Sequence, residues 1–358
     1  MTLTTTATEL SRLMRCIGSR LMPAAVPQES NKEQRDEGNA AHWLAERCFK
    51  GDAVVNAGHV APNGYVITQE MGEHVLSYVG ALDPGEMEAD TSYSGDGWEV
   101  RGRADHLVYR DNTLTIDDFK YGWRIVEPAH NWTLISHAIG WCIRNNRRAD
   151  RFVFRIHQPR PFHSEGPLRE WSCSYEELMG FYHQIAWRLS NPTDELVTGL
   201  EQCAKCHALA NCPAARRATM NAIDAAMLAF DETLPKPVLT HELETLRLAK
   251  GMIEARHDAL EELITYRIKS GEVFDGYMLE RKQGHRRWKS GLSGKALSMV
   301  CGVDLTKDDM VTPAEAKRRG VPDTVIEKLV DRPMLDAKLK AVDADAKARR
   351  VFGTGATR

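Results

Sequence analysis

The sequence predicts an α/β protein followed by a mainly helical C-terminal region. Three observations carry that prediction. Apolar residues recur at helical spacing over Asn31–Lys50 and Trp132–Ile143. Between them, from Gly97, the period changes to two. The pattern then breaks at Leu234–Pro237, and a single long helical stripe begins beyond it. At 358 residues the chain is long enough for two or three domains with real cores, divided here as 1–230 and 231–358.

Taken in order, residues 1–50 read as helical with an interruption at Pro23–Pro27; Ala41, Leu44, Ala45, Cys48 and Phe49 form an apolar face. Glu99–Arg110 and Thr113–Tyr121 alternate about Asp111-Asn112, a tight-turn pair. Arg151–Gln158 reads as a short strand and Tyr175–Leu189 as a helix. A cysteine-bearing loop covers Gln202–Pro213 and leads into a helix ending near Phe230. His241–Lys269 is one long helix with Leu246, Ala249, Ile253, Leu260, Leu263 and Ile264 on a stripe that Arg256 and His257 interrupt, suited to packing or dimerisation. Turn-rich sequence to Gly302, small helical pieces and a frayed tail at Gly353–Arg358 complete the chain.

Charge and composition narrow the function classes. Lys+Arg 47 against Asp+Glu 50 gives a net charge of −3, so nucleic-acid binding must come from a local patch and not from a global basic field. Met1–Glu9 has no basic or apolar leader segment, and no run of about 18 apolar residues occurs, so a cytoplasmic protein with no membrane partner is expected. In that compartment the eight cysteines are expected to be reduced, and any cluster of them reads as a metal or redox site.

The two-residue turn fixes a register. With Arg110 opposite Thr113, Tyr109 faces Leu114, Leu107 faces Ile116, Asp105 faces Asp118 and Arg103 faces Lys120, all on one side of the hairpin. Opposed carboxylates repel, and a divalent cation with a preference for oxygen ligands, Mg²⁺ or Mn²⁺, resolves that repulsion. Lys120 projects to the same side and is placed to orient a water or steady developing charge. The triplet Asp118-Phe119-Lys120 alone carries no weight, because acid-x-base triplets recur by composition; the register and the preceding Gly102-Arg103-Ala104-Asp105 make it informative.

Cys203, Cys206 and Cys212 form Cys-x2-Cys-x5-Cys followed by Pro213, a spacing that suits a soft metal or a cluster. The fourth ligand is either the distant Cys16 or the local His207, the latter fitting zinc rather than iron–sulfur. Cys48, Cys142, Cys173 and Cys301 read as isolated buried thiols.

The order Cys16, His42, Gly102-Arg103-Ala104-Asp105, Ile116-Asp117-Asp118-Phe119-Lys120, then Cys203, Cys206 and Cys212, resembles the PD-(D/E)XK nucleases of the RecB type. More narrowly, it is similar to their iron–sulfur branch, which includes AddB nuclease domains and the CRISPR-associated adaptation exonucleases. The resemblance covers about residues 10–220. It implies a restriction-endonuclease-like core, a mixed central sheet flanked by helices, closed by a 4Fe–4S clasp on Cys16, Cys203, Cys206 and Cys212. It also implies that His42 (in Glu37-Gly38-Asn39-Ala40-Ala41-His42), Asp105, Asp118 and the Phe119 carbonyl hold Mg²⁺ or Mn²⁺, and that Lys120 assists the attacking water. The family's Gln-x-x-x-Tyr motif is replaced here by Thr133 and His137, which the resemblance places against the substrate.

Gly276-Tyr277-Met278-Leu279 and Arg286-Arg287-Trp288 resemble phage and prophage RecB-like proteins, which implies a role in phage DNA recombination, replication or repair, in the host cytoplasm, alongside single-strand-binding or annealing recombination proteins. The stretch from Arg281 and Lys282 through Arg286, Arg287, Trp288 and Lys289 carries five cations and an aromatic, the composition of a DNA contact. The expected function is a metal-dependent DNA exonuclease. The alternatives are a catalytically weak DNA-binding accessory on a nuclease fold and a zinc-stabilised interaction protein.

Overall fold

In the computed structural model the described residues are 2–26, 32–52, 58–204, 206–226, 235–280, 287–289, 292–306, 311–332 and 338–341. The chain divides into two compact units, Met1–Leu260 and Glu261–Arg358.

The first unit opens with a strand rather than a helix. Strand β1 (Leu3–Thr6) runs into α1 (Ala7–Leu13), where Thr6 and Glu9 form a capping box that ends the strand and starts the helix. Helix α2 (Lys32–Phe49) carries the expected apolar face, and α3 (Gln69–Gly80), capped by Thr68, packs beside it. Strands β2 (Glu86–Asp90), β3 (Tyr93–Gly95), β4 (Trp98–Arg101), β5 (Arg103–Arg110) and β6 (Thr113–Phe119) follow. The strand expected over Glu99–Arg110 is therefore two, broken at Gly102. A Cβ there would stand 2.8 Å from Thr91 Oγ1 and 3.1 Å from His137 Nδ1, so the break and the glycine serve one close approach.

Helix α4 (Trp132–Asn145) crosses over to β7 (Arg151–His157), which lies parallel to β6, as a crossover of that length requires. Strand β8 (Leu168–Ser174) returns antiparallel, and a Ser174–Glu177 capping box starts α5 (Tyr175–Ser190). The sheet order is β2-β5-β6-β7-β8, a mixed sheet; β1, β4 and β3 form a second, smaller one. One face of the main sheet is covered by α1, α4 and α5 through Leu10, Leu107, Ile116, Leu134, Phe154 and Ile185. The other meets α2 and α3 through Leu44, Met71, Val75, Tyr78 and Phe119.

The hairpin register is the expected one: Arg110 opposite Thr113 through His106 opposite Asp117. Asp111 and Asn112 both take positive φ, 47° and 58°, the geometry of a two-residue turn whose twist matches its strands.

Short α6 (Leu200–Cys203), α7 (Pro213–Ala226) and α8 (Lys236–Lys269) complete this unit and run to its boundary. Leu234 of the expected break and residues 227–230 of the expected helix lie outside the described residues. The second unit is not simply helical. Short helices α9 (Gly294–Cys301), α10 (Pro313–Arg318) and α11 (Asp323–Leu329) accompany two strand pairs: β9 (Tyr277–Glu280) with β12 (Lys338–Ala341), and β10 (Arg287–Trp288) with β11 (Val330–Asp331). Arg281, Lys282 and Arg286 of the basic stretch, and the tail Gly353–Arg358, lie outside the described residues. Trp288 corrects the expectation of base stacking. It is 9% exposed in the core of the second unit with Leu297, Leu305 and Ile326, and its indole N–H donates to the Val311 carbonyl at 2.7 Å. Lys289 is exposed.

Candidate active site

Strand alternation sends successive residues of β6 to opposite faces. Asp118 faces the α4 side with Ile116, whereas Asp117 and Phe119 face α2 and α3. The β5–β6 ladder pairs residues as far as His106 and Asp117. One step further, the Asp105 carboxylate takes the place of a backbone acceptor: Phe119 N–H donates to Asp105 Oδ2 at 2.8 Å. That bond fixes the two opposed carboxylates at the mouth of the hairpin.

Asp105, Asp118 and Lys120 line a cleft of about 720 Å³ together with His42 and Asn39 of α2, Thr133 and His137 of α4, and Thr6–Thr8 at the start of α1. The chain thus brings together every residue expected of the catalytic core, including both replacements of the Gln-x-x-x-Tyr motif. His42 Nδ1 stands 3.4 Å from Asp105 Oδ2. Lys120 Nζ donates to Asp118 Oδ1 at 2.8 Å and lies 2.7 Å from Oδ2. Asp118 is 5% exposed, and its Oδ2 receives no hydrogen bond. Burial pushes the Asp118 carboxyl above its ordinary value, and Lys120 offsets only part of this. Burial pulls the Lys120 ammonium down, but Asp118 and Asp105 outweigh it and the net shift is upward, so Lys120 stays charged.

Glu88 is the site residue that the sequence reading missed. The β2–β5 register places it across from Asp105, between the pairs Met87–His106 and Ala89–Ala104. Its φ is +52°, a left-handed value unusual for a non-glycine residue inside a strand. His42, Glu88 and Asp105 each offer a ligand atom within 4.8 Å of the others, a mixed nitrogen and carboxylate set open to the cleft. Burial, then Asp105, raise the Glu88 carboxyl. The compact trio is therefore His42, Glu88 and Asp105, whereas Asp118 sits beside it in an ion pair with Lys120. The signal in the sequence was the alternation Glu86-Met87-Glu88-Ala89-Asp90, legible only once that acidic stretch is known to be a strand.

His137 is 4% exposed, and its Nδ1 lies 2.7 Å from Thr91 Oγ1. Burial depresses it to about 4, so it is neutral at pH 7. Thr133 Oγ1 donates to the Ala7 carbonyl at 3.4 Å, tying α4 to the start of α1.

A second constellation lies at the cysteines. Cys203, Cys206 and Cys212 share one apolar cluster, and the Val197 N–H donates to Cys16 Sγ at 3.3 Å. Burial raises the Cys203 thiol, and Cys206, Cys212 and Cys16 each add to the rise, so the first and last cysteines of the motif are neighbours in space. All eight cysteines are free thiols. Among the described residues no three cysteine sulfurs lie within 4.8 Å of one another, which is wider than the about 3.8 Å edge that a tetrahedral zinc–thiolate site imposes. His207 is turned to other work: its Nδ1 lies 3.0 Å from Arg12 Nη1, and its Nε2 lies 3.0 Å from the Met22 carbonyl.

A family model described as "Protein of unknown function (DUF2800)" matches residues 5–331. The chain belongs to that family. No curated protein matches it. Among solved structures, "Crystal structure of SSO0001" is similar at 14% identity and a TM-score of 0.31, over 60% of this chain and 88% of that one. Among the described residues no helix is long and apolar enough to cross a membrane.

Proposed function

We propose that this member of the family is a metal-dependent deoxyribonuclease of the PD-(D/E)XK type, acting on DNA ends in recombination, replication or repair. The observation that carries the reading is the convergence of His42, Glu88, Asp105, Asp118 and Lys120 on one cleft, with a buried carboxylate oxygen on Asp118 that no hydrogen bond satisfies. The preference for exonuclease over endonuclease rests on the resemblance.

The donor set fits a hard divalent cation. His42, Glu88 and Asp105 offer one nitrogen and two carboxylates, and Asp118 a third carboxylate. When bound there, Mg²⁺ or Mn²⁺ polarises the scissile phosphate and lowers the pKa of a water. Lys120, charged and held against Asp118, stands ready to stabilise the negative charge that builds on the phosphate. His137 is neutral, and with Thr91 donating to its Nδ1, its Nε2–H is left for a phosphate oxygen. That donation is the work the absent Gln-x-x-x-Tyr pair would otherwise perform.

The thiols of Cys16, Cys203, Cys206 and Cys212 are read as ligands of a structural 4Fe–4S cluster joining the two ends of the nuclease domain. What supports this is their gathering from opposite ends of the domain, the engagement of His207 elsewhere, and a spacing too open for a single tetrahedral ion. A second reading, a DNA-binding accessory with weak catalysis, is favoured by Thr133 and His137 alone.

Incubating anaerobically purified protein with end-labelled linear and closed circular DNA, with Mn²⁺, Mg²⁺ or chelator, tests the proposal. Metal-dependent loss of linear DNA alone supports the exonuclease. Tight DNA binding with no cleavage under any metal selects the accessory.

A further inference from the structure

Immediately after Lys120 the chain enters a loop that exposes apolar side chains. Trp123 is 64% exposed and Ile125 is 45% exposed. From the neighbouring strand end, Phe162 is 91% exposed. Exposed aromatics on a mobile loop would mean little, but this loop is built. Gln158, 1% exposed, donates through Nε2 to the carbonyls of Gly122 at 2.8 Å and Arg124 at 2.7 Å, and its Oε1 accepts from the Val126 N–H at 3.1 Å. Arg169, also 1% exposed, donates to Gln158 Oε1 at 2.8 Å and to the Val126 carbonyl at 2.7 Å. Two buried polar side chains are therefore committed to holding residues 122–126 in one shape.

The indole of Trp123 is itself propped. The Arg160 guanidinium lies 4.7 Å from the Trp123 ring centroid and 4.4 Å from that of Tyr121, and is anchored to Glu37 at 3.0 Å. Arg124, exposed beside Trp123, adds a cation next to the aromatic face. A rigid aromatic with an adjacent cation suits base stacking plus phosphate contact.

We propose that Trp123, Arg124 and Phe162 form a platform on which the unpaired end of a single DNA strand stacks before it enters the cleft. The inference rests on the nuclease reading and names its substrate: a single-stranded end. Three peptide units separate Trp123 from Lys120, so their Cα atoms are at most about 11 Å apart. A strand stacked on the indole reaches the carboxylates within a few nucleotides. Double-stranded DNA has its bases paired and stacked internally and presents no free face to Trp123.

The test is fluorescence anisotropy of labelled single-stranded and duplex oligonucleotides on the full chain with chelator present, alongside Mn²⁺ cleavage assays. Trp123→Ala is expected to weaken single-strand binding about tenfold and duplex binding little. Trp123→Phe should restore most of the affinity, which a general loss of fold would not allow. Arg124→Ala should reduce the salt dependence of binding by about 0.7 in the slope of log K against log salt. Unchanged single-strand affinity in Trp123→Ala overturns the platform, and continued cleavage would leave the nuclease reading standing. Lost affinity in Trp123→Ala with a parent that never cleaves supports the platform and overturns the nuclease. Equal losses for single-stranded and duplex DNA, or a parent that binds no DNA while a protein or vesicle occupies the patch, overturn the platform.

Discussion

Asp117 and Asp118 are neighbours on one strand and live in opposite regimes, because strand alternation sends them to opposite faces of the sheet. Asp117 is satisfied: His106 Nδ1 lies 3.0 Å from one oxygen and His157 Nε2 lies 2.8 Å from the other. Burial alone would push this carboxyl up, but the hydrogen bonds and charge of the two histidines hold it at about 2. Because His106 lies on β5 and His157 on β7, the carboxylate pins the three central strands. Asp118 has one lysine, a raised carboxyl and an oxygen without a hydrogen bond. A satisfied buried carboxylate is structure; an under-satisfied one beside a cleft is poised for a ligand.

Four experiments break or sharpen that contrast. The largest effect is expected on the cleft face, where Lys120→Ala should lower the DNA cleavage rate by about a hundred- to a thousandfold with the far-ultraviolet spectrum unchanged; full activity would remove Lys120 from the chemistry. On the opposite face, Asp117→Asn should cost about 3 kcal/mol in urea unfolding, because one partner of a buried charged network is lost, while the folded fraction still cleaves. A native-like denaturation midpoint would contradict the pinning role.

Next comes a pH effect. His137 is held at about 4 against an ordinary value near 6.5, so between those values the unfolded chain takes up a proton that the folded chain refuses. Stability should therefore fall by about 2 kcal/mol from pH 7 to pH 5 on account of this residue. His137→Asn should flatten that slope, and parallel unfolding curves for the two proteins would count against a neutral buried ring. The smallest effect is expected at the metal trio. Glu88→Gln should weaken Mn²⁺ binding about tenfold by titration calorimetry, and an unchanged Mn²⁺ affinity would remove Glu88 from the ligand set.

What was legible in the sequence is local. The hairpin register followed from two facts within reach of each other in the chain: a two-residue Asp-Asn turn and an alternating apolar face. The cysteine motif was legible from spacing alone, but the choice between Cys16 and His207 was not, because it depends on how Arg12 and Met22 engage the imidazole. Strand β1 was missed because Leu-Thr-Thr-Thr gains its partner from β4, some 95 residues away. Strand β2 was missed because Glu-Met-Glu-Ala-Asp has a composition that strands avoid, and Glu88 was lost with it. The break at Gly102 is set by a tertiary approach to Thr91 and His137, which no local pattern encodes. The basic stretch failed differently: Trp288 looked like a stacking residue, but its indole fills the core of the second unit, while the exposed Trp123 went unnoticed.

The central claim is that Asp118 does chemistry and does not hold the fold. The most direct measurement is Mn²⁺-dependent cleavage of end-labelled linear DNA by Asp118→Asn protein, with its thermal midpoint read on the same sample. The account predicts no detectable cleavage and a midpoint at or above that of the parent, because a buried carboxylate with a raised pKa is replaced by a neutral isostere. Parent-like cleavage by the variant, or a collapse of its midpoint, would contradict it.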